Sequence, residues 1–386
     1  MRSVADAEYL ARRRLPKSLA LEIEAGEPRS AFGRNLDAFA AVGFRPRVGV
    51  AFPSRDLRTT VLGHEISFPV LIAPTGNLRI NHPDAEPGVA RAAGAAGTIH
   101  CVSTFTGHPI EAVTAAAAGP VFFQLYFAGG RANVETMIDR ARSAGCAALI
   151  LTMDTAAKPQ AERGLRDRVF EPFADDLATA IRFLPQAARR PAWLAGFLRD
   201  GRTIEAPMAL RPDGSVMSMP EALGTVLADP PAWEDLGWIR ERWRGPLIVK
   251  GILSGEDARR AVEAGASAVV VSNHGGHLLP GSVPPLRVLP EVLASVGDAV
   301  EVLVDSGVRR GGDVVKALAL GARAVLVGRA CLWAHAAAGE AGVRRILEVL
   351  RGGVDDTLAL LGCPSVAALD RSYVTLPAGF TPGEPR

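Results

Sequence analysis

The sequence predicts an α/β protein built as a closed (β/α)8 barrel. Three features predict it. Eight short apolar runs recur along the chain, Ala-rich helical segments closed by glycine separate most of them, and polar residues gather at the C-terminal ends of the runs. A continuous β-branched run such as Ala268–Val271 marks a strand buried on both faces, as parallel sheets require. With no evident reversal of strand order, a doubly wound open sheet is the weaker alternative.

Taken in order, residues 1–68 form an N-terminal arm. It reads as helical around Tyr9–Arg14 and over Pro16–Ala25, with Pro16 at a first helical position and Gly26 as the C-cap. Thr59–Leu62 and His64–Phe68 are strand-like and joined through Gly63, a hairpin at the barrel bottom outside the main sheet. The eight barrel strands fall in Val70–Pro74, Thr98–Ser103, Val121–Tyr126, Ala147–Asp154, Leu247–Gly251, Ala268–Asn273, Val302–Ser306 and Ala324–Gly328. Helix ends closed by Gly97, Gly145, Gly265 and Gly321 each stand directly before a strand, an internal repeat. The rhythm breaks once, after the fourth strand. Residues 156–230 read as a Pro-rich, structureless insertion leaving the C-terminal face, where an active-site lid is expected.

Composition narrows the function. The 386 residues are expected to form a single domain, and a net charge of +2 without basic blocks argues against nucleic-acid binding. No apolar run approaches the ~18 residues of a membrane helix. Met1–Lys17 is too charged for a signal peptide. Cys101, Cys146, Cys331 and Cys363 are scattered without metal-ligand spacing and read as reduced thiols of a cytoplasmic protein.

The strand ends carry the chemistry. In order they present Pro74-Thr75-Gly76, Ser103-Thr104, Gln124 with Tyr126, Thr152 with Asp154, Lys250, Ser272-Asn273-His274, Asp305 with Arg309, and Gly328-Arg329. Barrel enzymes place their active sites on this face. Glycines and arginines after strands seven and eight suit a phosphate, bound by backbone amides and guanidinium groups. Lys250 ends an apolar strand and so needs a counter-charge or a ligand; Schiff-base former, anion stabiliser and core ion pair remain open. His274 faces the same mouth as Asp154, and a carboxylate that orients an imidazole makes a general base. His64, His82, His100, His108 and His335 lack such company and read as structural.

Together, Val271-Ser-Asn-His-Gly-Gly276, Asp305-Ser-Gly-Val-Arg-Arg-Gly-Gly-Asp313, Phe122-Phe-Gln-Leu-Tyr126 and Leu151-Thr-Met-Asp154 resemble the FMN-dependent α-hydroxy-acid oxidase/dehydrogenase family. The likeness runs from about Leu15 to Arg371. It implies that Ala73, Pro74, Thr75, Ser103, Gln124, Thr152, Lys250 and Ser272 hold the flavin ring. Asp305, Gly307, Arg309, Gly328 and Arg329 would take the ribityl chain and phosphate. His274 would act as base with Asp154, Tyr126 would bond the substrate's reacting heteroatom, and Lys250 would stabilise reduced flavin. The resemblance also implies a homo-oligomer, commonly a tetramer, reoxidised by O2 or a carrier.

The departures from that family are informative. Its two carboxylate-binding arginines are replaced here by Ala161 and His277, its substrate-site tyrosine by Glu22, and the Trp or Ala after strand two by Phe105. Each charge-assisted arginine contact is worth roughly 1.5–3 kcal/mol, so losing both removes on the order of 10²–10⁴ in affinity for a small hydroxy acid. A peptide-maturing branch of the family shows the same dissociation, oxidising an amine-bearing carbon of a peptide-derived lactam. Leu15-Pro-Lys-Ser18, Asn35–Phe39, Pro191-Ala-Trp193, Pro230–Asp235 and Leu350-Arg-Gly-Gly353 resemble that branch. The expected reaction is therefore α-carbon oxidation, CH–NH2 or CH–OH, of a small molecule or modified peptide without a clamped carboxylate. The alternative is an α-hydroxy-acid oxidase whose carboxylate is held by other groups, such as Arg163 or Arg166. A flavin-binding scaffold without turnover is a third reading, opposed by the retained His274, Asp154, Tyr126 and Lys250.

Overall fold

In a computed structural model, which describes residues 1–24, 31–156, 177–201 and 205–380, the eight apolar runs are eight strands: β1 (Val70–Ile72), β2 (His100–Ser103), β3 (Val121–Leu125), β4 (Ala148–Thr152), β5 (Leu247–Ile252), β6 (Ala268–Val271), β7 (Glu301–Val304) and β8 (Ala324–Val327). They close into one barrel in sequence order. Every adjacent pair is parallel, including β4 with β5 across the insertion and β8 with β1 at the closure. All residues of β2, β3, β4, β6 and β8 are buried, which is why these strands read as unbroken apolar runs instead of alternating ones. Gly97, Gly145, Gly265 and Gly321 all adopt positive φ, the left-handed geometry that ends a helix and turns the chain into the next strand.

Side chains fill the barrel. Leu71, Ile99, Phe122, Ile150, Ile248, Val270, Leu303 and Leu326 pack inside it, joined from below by Val61 and Ile66 of the hairpin Thr59–Val61/His64–Ile66. The hairpin turn is fastened by Glu301, whose carboxylate accepts from Leu62 N–H at 3.1 and 3.0 Å. The barrel floor is thus plugged, and the open end is the C-terminal mouth.

The arm comprises α1 (Val4–Arg14), α2 (Lys17–Glu24) and α3 (Ala31–Ala41). Pro16 stands one residue before α2, and Gly26 lies outside the described residues. The sequence reading missed α3. Its order is tertiary: Asn35 and Asn273 exchange two side-chain hydrogen bonds of 2.9 and 2.8 Å across 238 positions of sequence.

The insertion corrects an expectation, because its described parts are not structureless. Helices Leu177–Ala188 and Pro191–Gly196 sit against the arm and the first crossover. Trp193, buried, donates from Nε1 to Ile80 O at 2.8 Å, Arg190 Nε reaches Leu15 O at 2.8 Å, and Ser18 N donates to Gln186 Oε1 at 3.1 Å. A second hairpin, Glu205–Leu210 with Val216–Ser218, leads into helix Met219–Ala228. It docks on the helix Gly130–Ser143 through Asn133 and Arg140. The prolines that look like loop signals include Pro191 and Pro220, both in the opening turns of helices, where a missing N–H costs nothing.

All four cysteines are free and buried. Three histidines read as structural cluster at the helix Arg329–Leu361, which carries His335: the His82 and His335 rings lie 5.6 Å apart, and His100 and His335 are buried. Burial lowers His100 to about 3 and, with Arg14 nearby, His82 to about 4. Both are therefore neutral at pH 7. No helix among the described residues is long and apolar enough to cross a membrane.

Candidate active site

At the mouth, β6 runs into a turn that the barrel holds under strain. His274, Gly275 and Gly276 have φ of 56, 68 and 76°, three left-handed residues in succession. An L-residue such as His274 avoids this region at a cost of about 1–2 kcal/mol. Side chains from several elements offset that cost. His274 N–H donates to Ser272 Oγ (3.1 Å), Gly275 N–H to Ser306 Oγ (2.9 Å) and Gly276 N–H to Asn273 Oδ1 (3.0 Å). A Cβ on Gly276 would collide with Phe32 N, so α3 presses on the turn from outside.

That turn places the imidazole between two partners. His274 Nδ1 lies 3.0 Å from Asp154 Oδ1, beyond the end of β4, and Nε2 lies 3.3 Å from the Tyr126 hydroxyl, beyond the end of β3. Burial disfavours ionised Asp154, but His274 and Lys250 outweigh it and hold the carboxyl below its usual range. Burial, helped by Asp154, pushes the Tyr126 phenol far up, so it stays a neutral hydroxyl. An ionised Asp154 keeps the proton on Nδ1 and leaves the Nε2 lone pair facing the mouth. The arrangement has the form of an oriented general base.

Lys250, buried on β5, donates to Ser272 Oγ at 2.9 Å and lies 3.3 Å from Asp305 Oδ2. Burial opposes its charge, but Asp305 and Asp154 prevail and raise its pKa. An amine held as ammonium has no lone pair for a Schiff base. A Schiff base is thereby disfavoured, and of the two readings left, core ion pair and anion stabiliser, the contact with Asp305 supplies the first. Asp305 also accepts from Ser306 Oγ at 2.6 Å. Ser306, itself left-handed at φ 70°, thus links the lysine's counter-ion to the histidine turn.

A flavin fits what these residues leave unsatisfied. Gln124 Nε2 and Thr152 Oγ1 are buried and lack hydrogen-bond partners among the described residues, although Ser103 engages the other end of Gln124 at 3.1 Å. Buried polar atoms are nearly always bonded in folded proteins, so the two call for a polar ligand at the ends of β3 and β4. Nearby lie Ala73, Pro74 and Thr75 past the end of β1. After β7, Gly307 adopts φ 121°, and a Cβ there would meet Asn35 O at 2.9 Å. Gly328 precedes the long helix Arg329–Leu361. Arg309 and Arg329 both lie over the Phe32 ring, at 5.6 and 4.6 Å, and burial lowers the Arg309 pKa. Arg329 also donates to Ile23 O and Gly275 O. Two guanidiniums converging on one ring beside helix N-termini suit an anion, as a phosphate would be. The sequence reading overlooked Phe32.

The remaining residues line the other side. The Phe105 and Tyr126 rings stand 5.2 Å apart, and His277 N–H donates to His274 O. Glu22, at the end of α2, is hydrogen-bonded to Asn77, and burial raises it to about 7. Ala161, Arg163 and Arg166 lie outside the described residues. One expectation is corrected: His108 and His82 do have carboxylate neighbours, Glu86 at 3.3 Å and Asp84 at 3.6 Å, but neither contact involves the mouth residues. Among the described residues no cluster of three or more His, Cys, Asp or Glu could hold a metal.

Residues 11–376 match the FMN-dependent dehydrogenase family. The chain is 45% identical over 386 residues to pre-mycofactocin synthase of Mycobacterium tuberculosis, covering 98% of this chain and 95% of that one. It is 38% identical over 376 residues to L-lactate dehydrogenase of Caulobacter vibrioides, covering 96% and 97%. A crystal structure of the monotopic membrane protein (S)-mandelate dehydrogenase superposes with a TM-score of 0.86 at 35% identity, covering 98% of this chain and all of that one. The chain belongs to the FMN-dependent dehydrogenase family and is an FMN-dependent oxidoreductase of the hydroxy-acid oxidase type.

Proposed function

We propose that this FMN-dependent oxidoreductase oxidises the α-carbon of a substrate without a clamped carboxylate, with a peptide-derived amino-lactam of the mycofactocin type as its best candidate. The observation that carries the reading is the substrate side of the mouth. Among the described residues, Glu22, Phe105, Tyr126 and His277 supply an acid, two aromatic rings and an imidazole, and none of these four is an arginine or lysine. The likeness to pre-mycofactocin synthase supports it.

FMN supplies the two-electron acceptor. The chain's own residues do the rest. Tyr126 hydrogen-bonds the reacting heteroatom and fixes the carbon's orientation. Nε2 of His274 takes the substrate proton, and Asp154 stabilises the imidazolium that results. Lys250 holds positive charge where the acceptor gains negative charge. Ser103, Gln124, Thr152 and Ser272 bind the ring, and Asp305, Gly307, Arg309, Gly328 and Arg329 the ribityl phosphate.

With an amine substrate the balance is R2CH–NH2 to R2C=NH with two electrons and two protons removed, then hydrolysis to ketone and ammonia. Product analysis tests this. Turnover of a 3-amino-lactam is expected to release one ammonia per oxidised lactam. A lactam recovered unchanged, with no ammonia, would contradict the reading.

A further inference from the structure

The acid at the mouth has a specific environment. Glu22 sits in the last turn of α2, and its carboxylate is hydrogen-bonded to the side chain of Asn77. Asn77 follows the end of β1 in a left-handed conformation, φ 60°, and its backbone N–H donates to Phe105 O at 3.2 Å. The Phe105 ring packs on Tyr126, whose hydroxyl is 3.3 Å from His274 Nε2. A continuous series of contacts therefore joins Glu22 to the candidate base.

Two observations at this point call for a ligand. Glu22 has no ion-pair partner among the described residues, although its neighbour on the same helix, Glu24, is paired with Arg12 at 3.1 Å. Asn77 Oδ1 is buried and has no hydrogen-bond partner among the described residues. Both groups are acceptors. A carboxylate would be repelled by the first and would leave the second unsatisfied, whereas an ammonium group satisfies both. Burial raises the Glu22 pKa to about 7, consistent with a carboxylate that lacks a cation.

We propose that Glu22 and Asn77 Oδ1 form a subsite for an ammonium group of the substrate, so that the mouth selects a cationic amine where hydroxy-acid enzymes select an anion. This deepens the proposed function by naming the substrate's charge. It rests on that reading only in placing the substrate at the mouth.

The test is equilibrium binding to the FMN-loaded protein at pH 8, where Glu22 is ionised and no turnover is needed. Benzylamine, benzyl alcohol and benzoate are titrated while the absorbance of the bound flavin is followed. Wild-type protein is expected to bind benzylamine at least 10-fold more tightly than benzoate, with the alcohol between them. Glu22→Gln removes the charge and is expected to weaken benzylamine at least 10-fold while leaving the alcohol unchanged. Asn77→Gly suits the left-handed backbone, removes Oδ1, and is expected to weaken benzylamine severalfold. Benzoate binding more tightly than benzylamine, or a benzylamine affinity unaltered in both variants, would overturn the proposal. Because binding is read without chemistry, an enzyme that turns over amino-lactams yet shows no amine preference would sink the subsite and leave the proposed function standing. The converse result would do the reverse.

Discussion

Replacing His274 with glycine is expected to slow substrate-dependent flavin reduction by roughly 10²–10⁴-fold, the usual contribution of a positioned general base. The glycine variant is more informative than alanine here. His274 occupies φ 56°, where glycine is at ease and an L-residue is strained. Relief of that strain offsets the extra freedom glycine gives the unfolded chain, so thermal stability is expected to stay close to wild type. The hydrogen bonds of the turn run through backbone N–H groups and survive the change. Stopped-flow reduction and thermal unfolding, measured on one preparation, separate catalysis from folding. A flavin reduction rate within threefold of wild type would remove His274 as the base.

The second large effect lies at Lys250. Its ammonium is enclosed with Asp305 at 3.3 Å and Ser272 at 2.9 Å. Lys250→Met keeps the length of the side chain but leaves the Asp305 carboxylate buried without a counter-charge. Breaking a buried pair in this way costs about 3–5 kcal/mol. The flavin-free variant should therefore melt roughly 5–10 °C lower. Neutralising the orphaned partner as well, in Lys250→Met/Asp305→Asn, is expected to restore part of the loss, because the two residues are coupled. Two single variants with small, additive effects would show that the pair is not an energetic unit. With FMN bound, Lys250→Met should also slow reduction, since positive charge is missing where the acceptor gains negative charge.

Much of this architecture was legible in the sequence, and the reason is local. A strand buried on both faces must be apolar at every position, so Ala268–Val271 and Ala324–Val327 declare themselves without any knowledge of their neighbours. A glycine needed at positive φ closes a helix wherever it stands, as at Gly145 and Gly265. Polar residues at strand ends reveal the mouth because barrel topology brings every strand end to one rim. Asp154 and His274 are 120 positions apart, yet each could be placed on that rim from its own strand.

What escaped was decided by contacts between distant segments. Helix α3 interrupts its apolar pattern with Gly33 and Asn35, and its function is to hold Asn273 and press Phe32 against the His-Gly-Gly turn. Neither role leaves a periodic trace. Pro191 and Pro220 of the insertion look like loop signals but open helices instead, since a proline reads the same in either setting. Glu22 stood out only as an unusual residue in its position. That it meets Asn77, and that Asn77 Oδ1 is otherwise unsatisfied, required the fold.

The central claim is that this mouth oxidises a carbon whose substrate carries no carboxylate for the protein to grip. Anaerobic bleaching of the bound flavin tests it most directly, with an amino-lactam of the mycofactocin type set beside lactate, glycolate and mandelate. The account predicts rapid bleaching by the lactam and little by the three acids. Rapid bleaching by any simple hydroxy acid, with the lactam inert, would contradict it and show that the carboxylate is gripped by other groups.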